Sequence, residues 1–110
     1  MIIFMEKYIY QMFILGVDNL DIALSKGLGG VIFFSKDIQT KQQVKTDILR
    51  IKNQSYIQPF ISIDQEGGRV ERTENIRPKR LSAKYAFEKG EDFLRIQTAA
   101  IAQALVELGL

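Results

Sequence analysis

Asp64-Gln65-Glu66-Gly67-Gly68-Arg69-Val70-Glu71-Arg72 concentrates carboxylates, glycines and guanidiniums directly after an apolar run, Pro59-Phe60-Ile61-Ser62-Ile63. On an extended segment Asp64 and Glu66, two residues apart, leave the same face roughly 6.6 Å apart. Paired carboxylates at such a separation are used in glycoside hydrolysis. That chemistry, however, needs them on opposite sides of the scissile bond, and these two share one side. A hard-cation site would take the same oxygens, but no third acidic ligand is near in sequence. Gly67-Gly68 could cradle a phosphate, although the further glycines or the Gly-Lys-Ser/Thr ending of the fuller patterns are missing. The plainest alternative is a turn in which Asp64, Glu66 and Arg69 pair with one another.

The elements that must position these groups read as alternating strands and helices. Met12–Val17 is a continuous apolar run of the kind a parallel strand buried on both faces requires. Asp18 or Asn19 can cap a short helix through Lys26, with Gly27 at its C-terminal end. Gly30–Phe34 predicts a second buried strand. Thr40 and Gln43 form a capping box for a helix to about Asn53, with Val44, Ile48 and Ile51 on one face. Phe60–Ile63 is the third strand, and its carboxyl end delivers Asp64 to the edge where parallel α/β sheets bind ligands. A polar loop containing Pro78 runs from Arg69 to about Ala83, and Glu71, Glu74, Arg77, Lys79 and Arg80 are expected to be solvated. A last helix, Glu91–Leu108, carries the stripe Leu94, Ile101, Leu105 and Leu108 and stops at Gly109. Phe13, Phe33, Phe34, Phe60, Tyr85 and Phe87 read as core.

Repeated βα units imply an α/β fold with a parallel sheet and right-handed crossovers. Three units are part of a doubly wound sheet or about three-eighths of a barrel whose usual length is ~250 residues. The 110 residues end after a helix, where another strand is expected. They form at most one domain, with no repeats or linker.

Composition excludes several classes. The net charge of +2, from scattered Lys and Arg, does not suit nucleic acid. There is no cysteine, so thiolate chemistry and disulfides are excluded. There is no histidine, which removes imidazole acid/base catalysis and histidine metal sites. The apolar start Met1–Met5 is interrupted by Glu6 and Lys7, and Tyr8–Val17 lacks a small-residue cleavage site, so no secretory signal is read. No run reaches the ~20 apolar residues of a membrane span. The expectation is a soluble, cytoplasmic protein.

From Asp64 to Arg72 the sequence closely resembles glycoside hydrolase family 3, in its β-N-acetylhexosaminidase branch. Gly29-Gly30-Val31-Ile32-Phe33-Phe34-Ser35-Lys36-Asp37-Ile38 is similar to the family's second strand and following loop. Ala99–Gly109 is similar to the helix before its fourth strand. The resemblance spans about Gln11 to Leu110, and Asp-Gln-Glu-Gly-Gly-Arg-Val-x-Arg is its specific part. It implies residues 1–110 of a (β/α)8 catalytic barrel, an incomplete one with three βα units and no second domain. It also implies retaining hydrolysis of terminal β-linked N-acetylglucosamine, in bacterial members from peptidoglycan fragments, without cofactor or metal.

By position, Asp64 and Arg72 match the residues that bind hydroxyls of the terminal sugar. Glu66, Gly67, Gly68 and Arg69 match positions expected to shape the loop. The family's histidine acid/base, on a Lys-His-Phe-Pro-Gly-His-Gly-like loop, and its aspartate nucleophile have no counterpart here, so the chain by itself is expected to be inactive. Lys79-Arg80-Leu81-Ser82 stands where relatives often have Pro-Leu-Pro-Ser. The partners implied are a saccharide containing N-acetylglucosamine and the remaining part of the barrel, with no nucleic acid or membrane. Two other readings stay open: a non-catalytic sugar- or partner-binding remnant, and a small flavodoxin-like domain binding phosphate or nucleotide through Gly67-Gly68.

Overall fold

The computed structural model describes residues 2–110, with side chains from Met5 onward, so Met1 of the apolar amino end lies outside the described residues. The chain is mixed α/β, with a three-stranded parallel sheet flanked by helices. Helix α1 (Ile2–Gln11) leads into β1 (Ile14–Gly16), followed by α2 (Asp21–Ser25), β2 (Gly30–Phe33) and α3 (Lys41–Gln54). Then come β3 (Phe60–Ile63), a hairpin of β4 (Gln65–Gly67) and β5 (Val70–Glu71), and helices α4 (Ala83–Glu88) and α5 (Glu91–Leu108). Sheet order is β1-β2-β3, with Ile14, Gly30 and Phe60 in one row and Gly16, Ile32 and Ser62 in another.

Because side chains alternate along a strand, those rows define one face, and Val31, Phe33, Ile61 and Ile63 define the other. Only the second face is packed. Val31 and Phe33 are buried against Leu24 and Leu28, at α2 and just after it, Val44, Ile48 and Ile51 of α3, and Leu108 of α5. Both crossover helices therefore lie on one side of the sheet. The opposite face is open, with Ile14 59% and Phe60 82% exposed.

The two long helices form where local signals are strongest. Thr40 Oγ1 accepts from the Gln43 backbone N–H at 3.1 Å, and Gln43 Oε1 accepts from the Gln39 and Thr40 N–H groups, so orphan donors of the first turn are satisfied. The expected face of Val44, Ile48 and Ile51 is the buried one. Helix α5 has its expected bounds. Leu108 is buried, Leu94, Ile101 and Leu105 are half-buried, and Ala104 joins the buried stripe. Gly109 adopts φ 104°, the left-handed conformation of a helix C-terminus, and Leu110 N–H donates to Leu105 O at 3.1 Å.

Several expectations are corrected. β1 is shorter than Met12–Val17 and exposed rather than buried on both faces, because it is an edge strand with none of the described residues packed over its open side. Neither Asp18 nor Asn19 caps α2. Leu20 occupies the N-cap position without a side-chain bond, Asn19 takes a left-handed φ of 56°, and Asp18 pairs with Lys36 instead. Gly27 does follow α2 with φ 91°. The polar loop is more ordered than expected: it contains β5 and runs into α4, which Ser82 caps by accepting from Tyr85 N–H. Of the aromatic residues read as core, only Phe33 is buried. Phe34 is intermediate, and Phe13, Phe60, Tyr85 and Phe87 are exposed. The β1-β2-β3 order departs from the 2-1-3 order of a flavodoxin-like sheet. Among the described residues no helix is long and apolar enough to cross a membrane.

Candidate functional site

The carboxyl edge of the parallel sheet collects charge from all three strands. Asp18 follows β1, Lys36 and Asp37 follow β2, and Asp64 follows β3. A short 3₁₀ turn, Ser35–Asp37, closes the end of β2, with the Asp37 carboxylate accepting from Phe34 N–H at 2.9 Å. Lys36 Nζ donates to Asp18 Oδ2 at 2.5 Å and lies 3.5 Å from Asp37 Oδ1. The hydrogen bond to Asp18 and the field of Asp37 raise the Lys36 ammonium above the usual lysine value. This pair ties the first two strand ends together.

At the third strand end the hairpin folds Arg72 back beside Asp64. Arg72 Nη2 is 4.0 Å from Asp64 Oδ2, and its guanidinium lies 5.4 Å from the centre of the Phe34 ring. At 4.0 Å the two charges attract but share no hydrogen bond, so carboxylate lone pairs and guanidinium protons stay free for a third group. The buried Arg72 Nε likewise has no hydrogen-bond partner. Asp64 is 52% exposed and Arg72 26%, which leaves the pair open to solvent on one side.

The hairpin that sets this geometry is built on glycine. β4 and β5 pair Gln65 with Glu71 and Gly67 with Val70, and a register shift falls between Gln65 and Gly67. Gly67 and Gly68 have φ of 77° and 61°, both left-handed. A methyl group on Gly67 would stand 2.3 Å from Leu81 O, so no other residue fits there. The Lys79–Ser82 segment is held against this turn: Gly68 N–H donates to Arg80 O at 2.8 Å, and the Gln97 amide clamps both the N–H and the carbonyl of Leu81.

Behind the turn lies a buried polar cluster. Glu71, 3% exposed, accepts from Gln65 Nε2, from Thr73 Oγ1 at 2.6 Å and from Arg80 N–H at 3.1 Å. Gln65 Oε1 in turn accepts from Arg72 N–H at 3.0 Å.

Asp64 and Arg72 are thus brought together, whereas Asp64 and Glu66 are not a pair. The bulge breaks the strand alternation that would align them, and Glu66 lines an open groove of about 500 Å³ against α4 and α5 that Asp64 does not reach. Arg69 does not pair with Asp64 or Glu66 either. The side chains of Glu66 and Arg69 are exposed and make no hydrogen bond among the described residues, so the loop takes its shape from Gly67, Gly68, Gln65 and Glu71. Gly67-Gly68 is not a free phosphate cradle, since the Gly68 N–H is already used and the turn joins two strands rather than a strand and a helix.

Glu71 and Arg77 are not part of a solvated loop. Glu71 is buried, and Arg77, 20% exposed, pairs with Glu107 of α5 at 3.2 Å. Sequence reading missed Phe34 as the surface under Arg72 and Lys36 as the link to β1. The aromatic at the end of β2 was the available signal. Among the described residues no group of three potential ligand side chains could hold a metal ion. No protein-family model matches this chain, and no curated protein does.

Proposed function

We propose that these are the first three βα units of a (β/α)8 barrel of the family 3 β-N-acetylhexosaminidase type, acting in the cytoplasm on saccharides ending in N-acetylglucosamine, such as peptidoglycan fragments. Asp64 and Arg72 bind the terminal sugar. The observation that carries the reading is the Asp64–Arg72 pair at the carboxyl edge of the sheet, 4.0 Å apart and not hydrogen-bonded to each other. A carboxylate of this kind accepts from two neighbouring hydroxyls, and a guanidinium in a fixed plane donates to the oxygen beside them. Phe34, with its ring centre 5.4 Å from the guanidinium, adds a cation–π contact that favours this position. Further support comes from the sheet: strands in sequential order, helices on one face and an uncovered second face suit a wall of a barrel. These residues bind and orient. The proton donor and nucleophile belong to the remaining barrel, the partner this reading requires.

The test is ligand-observed saturation-transfer NMR with N-acetylglucosamine on the 110-residue protein. Transfer is expected to the ring protons near the bound hydroxyls and to disappear in Asp64→Ala and in Arg72→Ala. A wild-type protein without transfer, or variants that keep it, would sink the assignment.

A further inference from the structure

Arg72 is held from two sides. Its guanidinium rests on Phe34 near Asp64, and its backbone N–H is bonded to a side chain, Gln65, whose orientation is not its own to choose. The two ends of a glutamine amide have nearly the same shape, so only the polarity of its partners decides which way it faces. At one end Gln65 Nε2 meets the Glu71 carboxylate and Thr73 Oγ1, the latter at 3.0 Å. Thr73 Oγ1 donates to Glu71 as well, at 2.6 Å, and the Arg80 N–H donates to its second oxygen at 3.1 Å. Three of these four bonds end on the Glu71 carboxylate, which accepts each of them.

We propose that Glu71 is a positioning residue for Arg72. By accepting from Gln65 Nε2 it forces Gln65 Oε1 towards the Arg72 N–H, and so fixes where the guanidinium stands beside Asp64. Its consequence for sugar recognition rests on the reading above; the positioning itself does not. The burial of Glu71 follows from this role. A carboxylate 3% exposed is costly to desolvate, and three donors offset the cost only while all three are in place.

The experiment measures the rate at which each arginine of the 110-residue protein reacts with phenylglyoxal, by peptide mass spectrometry of quenched time points. Arg95, 75% exposed at the side chain and paired with Glu91 on the surface, serves as the exposed reference, and Arg77, 20% exposed, reports the fold of the same loop. In wild type Arg72 is expected to react more slowly than Arg95. Glu71→Gln lets the Gln65 amide turn over. It should raise the Arg72 rate about fivefold relative to Arg95, the equilibrium weight of one net hydrogen bond, with Arg77 unchanged.

The exchange variant Gln65→Glu with Glu71→Gln reverses the bond between these two side chains, still leaves an acceptor facing each of the Arg72 and Arg80 N–H groups, and should restore the wild-type rate, which loss of fold could not do. An unchanged Arg72 rate in Glu71→Gln, a parallel rise at Arg77, or no restoration in the exchange variant would each overturn the proposal. Protection of Arg72 by N-acetylglucosamine in the same assay is a separate readout of the sugar assignment. Its absence counts against that assignment while the rate pattern still decides the role of Glu71.

Discussion

Asp64 and Arg72 differ from the hydrogen-bonded ion pairs of this chain in what they leave undone. Lys36 and Asp18, or Arg95 and Glu91, approach within hydrogen-bonding distance at exposed positions, where such pairs contribute little to stability. Asp64 and Arg72 stay 4.0 Å apart, with an aromatic ring and a buried cluster holding the arginine. In the proposed function this pair recognises hydroxyls, and the proton donor is a histidine, a residue type this chain lacks. The purified 110-residue protein is therefore expected to release no nitrophenol from a nitrophenyl N-acetylglucosaminide. Release abolished by Asp64→Asn would show a catalytic group in this chain that its composition does not suggest. The glycine at the turn permits a second test. Gly67→Ala places a methyl group 2.3 Å from a backbone carbonyl at φ 77°, whereas Gly16→Ala meets nothing within 4 Å. Gly67→Ala is expected to lower stability by about 2 kcal/mol or more and Gly16→Ala by less than about 1 kcal/mol. Thermal unfolding of the two variants checks it, and equal effects would mean the hairpin can relax.

At the scale of elements, helix caps and clamps decide which segments hold. α3 has a complete capping box and α5 a glycine stop, and both have the bounds their sequences imply. α2, five residues long without a side-chain cap, depends on tertiary burial of Ala23 and Leu24. Thr40→Ala removes a cap from an otherwise regular helix and should cost about 1 kcal/mol, seen as a lower midpoint in urea with an unchanged slope. No shift would mean that Gln43 caps α3 without Thr40. α4 lies between the polar loop and the last helix, in a stretch whose sequence is assigned no element. Its signals, Ser82 as cap and the Ala83–Glu88 run, are local but weak, and contact with α5 completes it.

The whole molecule is extended. Its radius of gyration is 16.3 Å, against about 13 Å for a compact domain of this length. Its accessible surface is 7463 Å², against about 6,200 Å² for a folded monomer of this mass. Part of the excess is the open face of the sheet, where Ile14 and Phe60 flank Gly30, together with the free edges of β1 and β3. Exposed apolar faces and unpaired strand edges recruit other chains. The 110-residue protein is thus expected to elute from size-exclusion chromatography ahead of a 12.6 kDa monomer, and Phe60→Lys should shift it towards that monomer. A wild-type monomer with a sharp cooperative melt would mean that the three units are a domain of their own.

Local chemistry written in the sequence determined β2, β3, α3 and α5, and it delivered Asp64 to a strand end. Capping, helical spacing and apolar runs act between near neighbours, so they can be read without knowing the fold. Burial cannot be read this way, because it depends on what packs from across the chain. Phe60, as apolar as Phe33, lies open because none of the described elements covers its side of the sheet. Glu71, as charged as Glu74, lies buried because Gln65, Thr73 and the Arg80 N–H converge on it. The tertiary structure alone decided that a bulge separates Glu66 from Asp64 and that Arg72 returns to Phe34. Both follow from the two left-handed glycines and the register of the hairpin they permit.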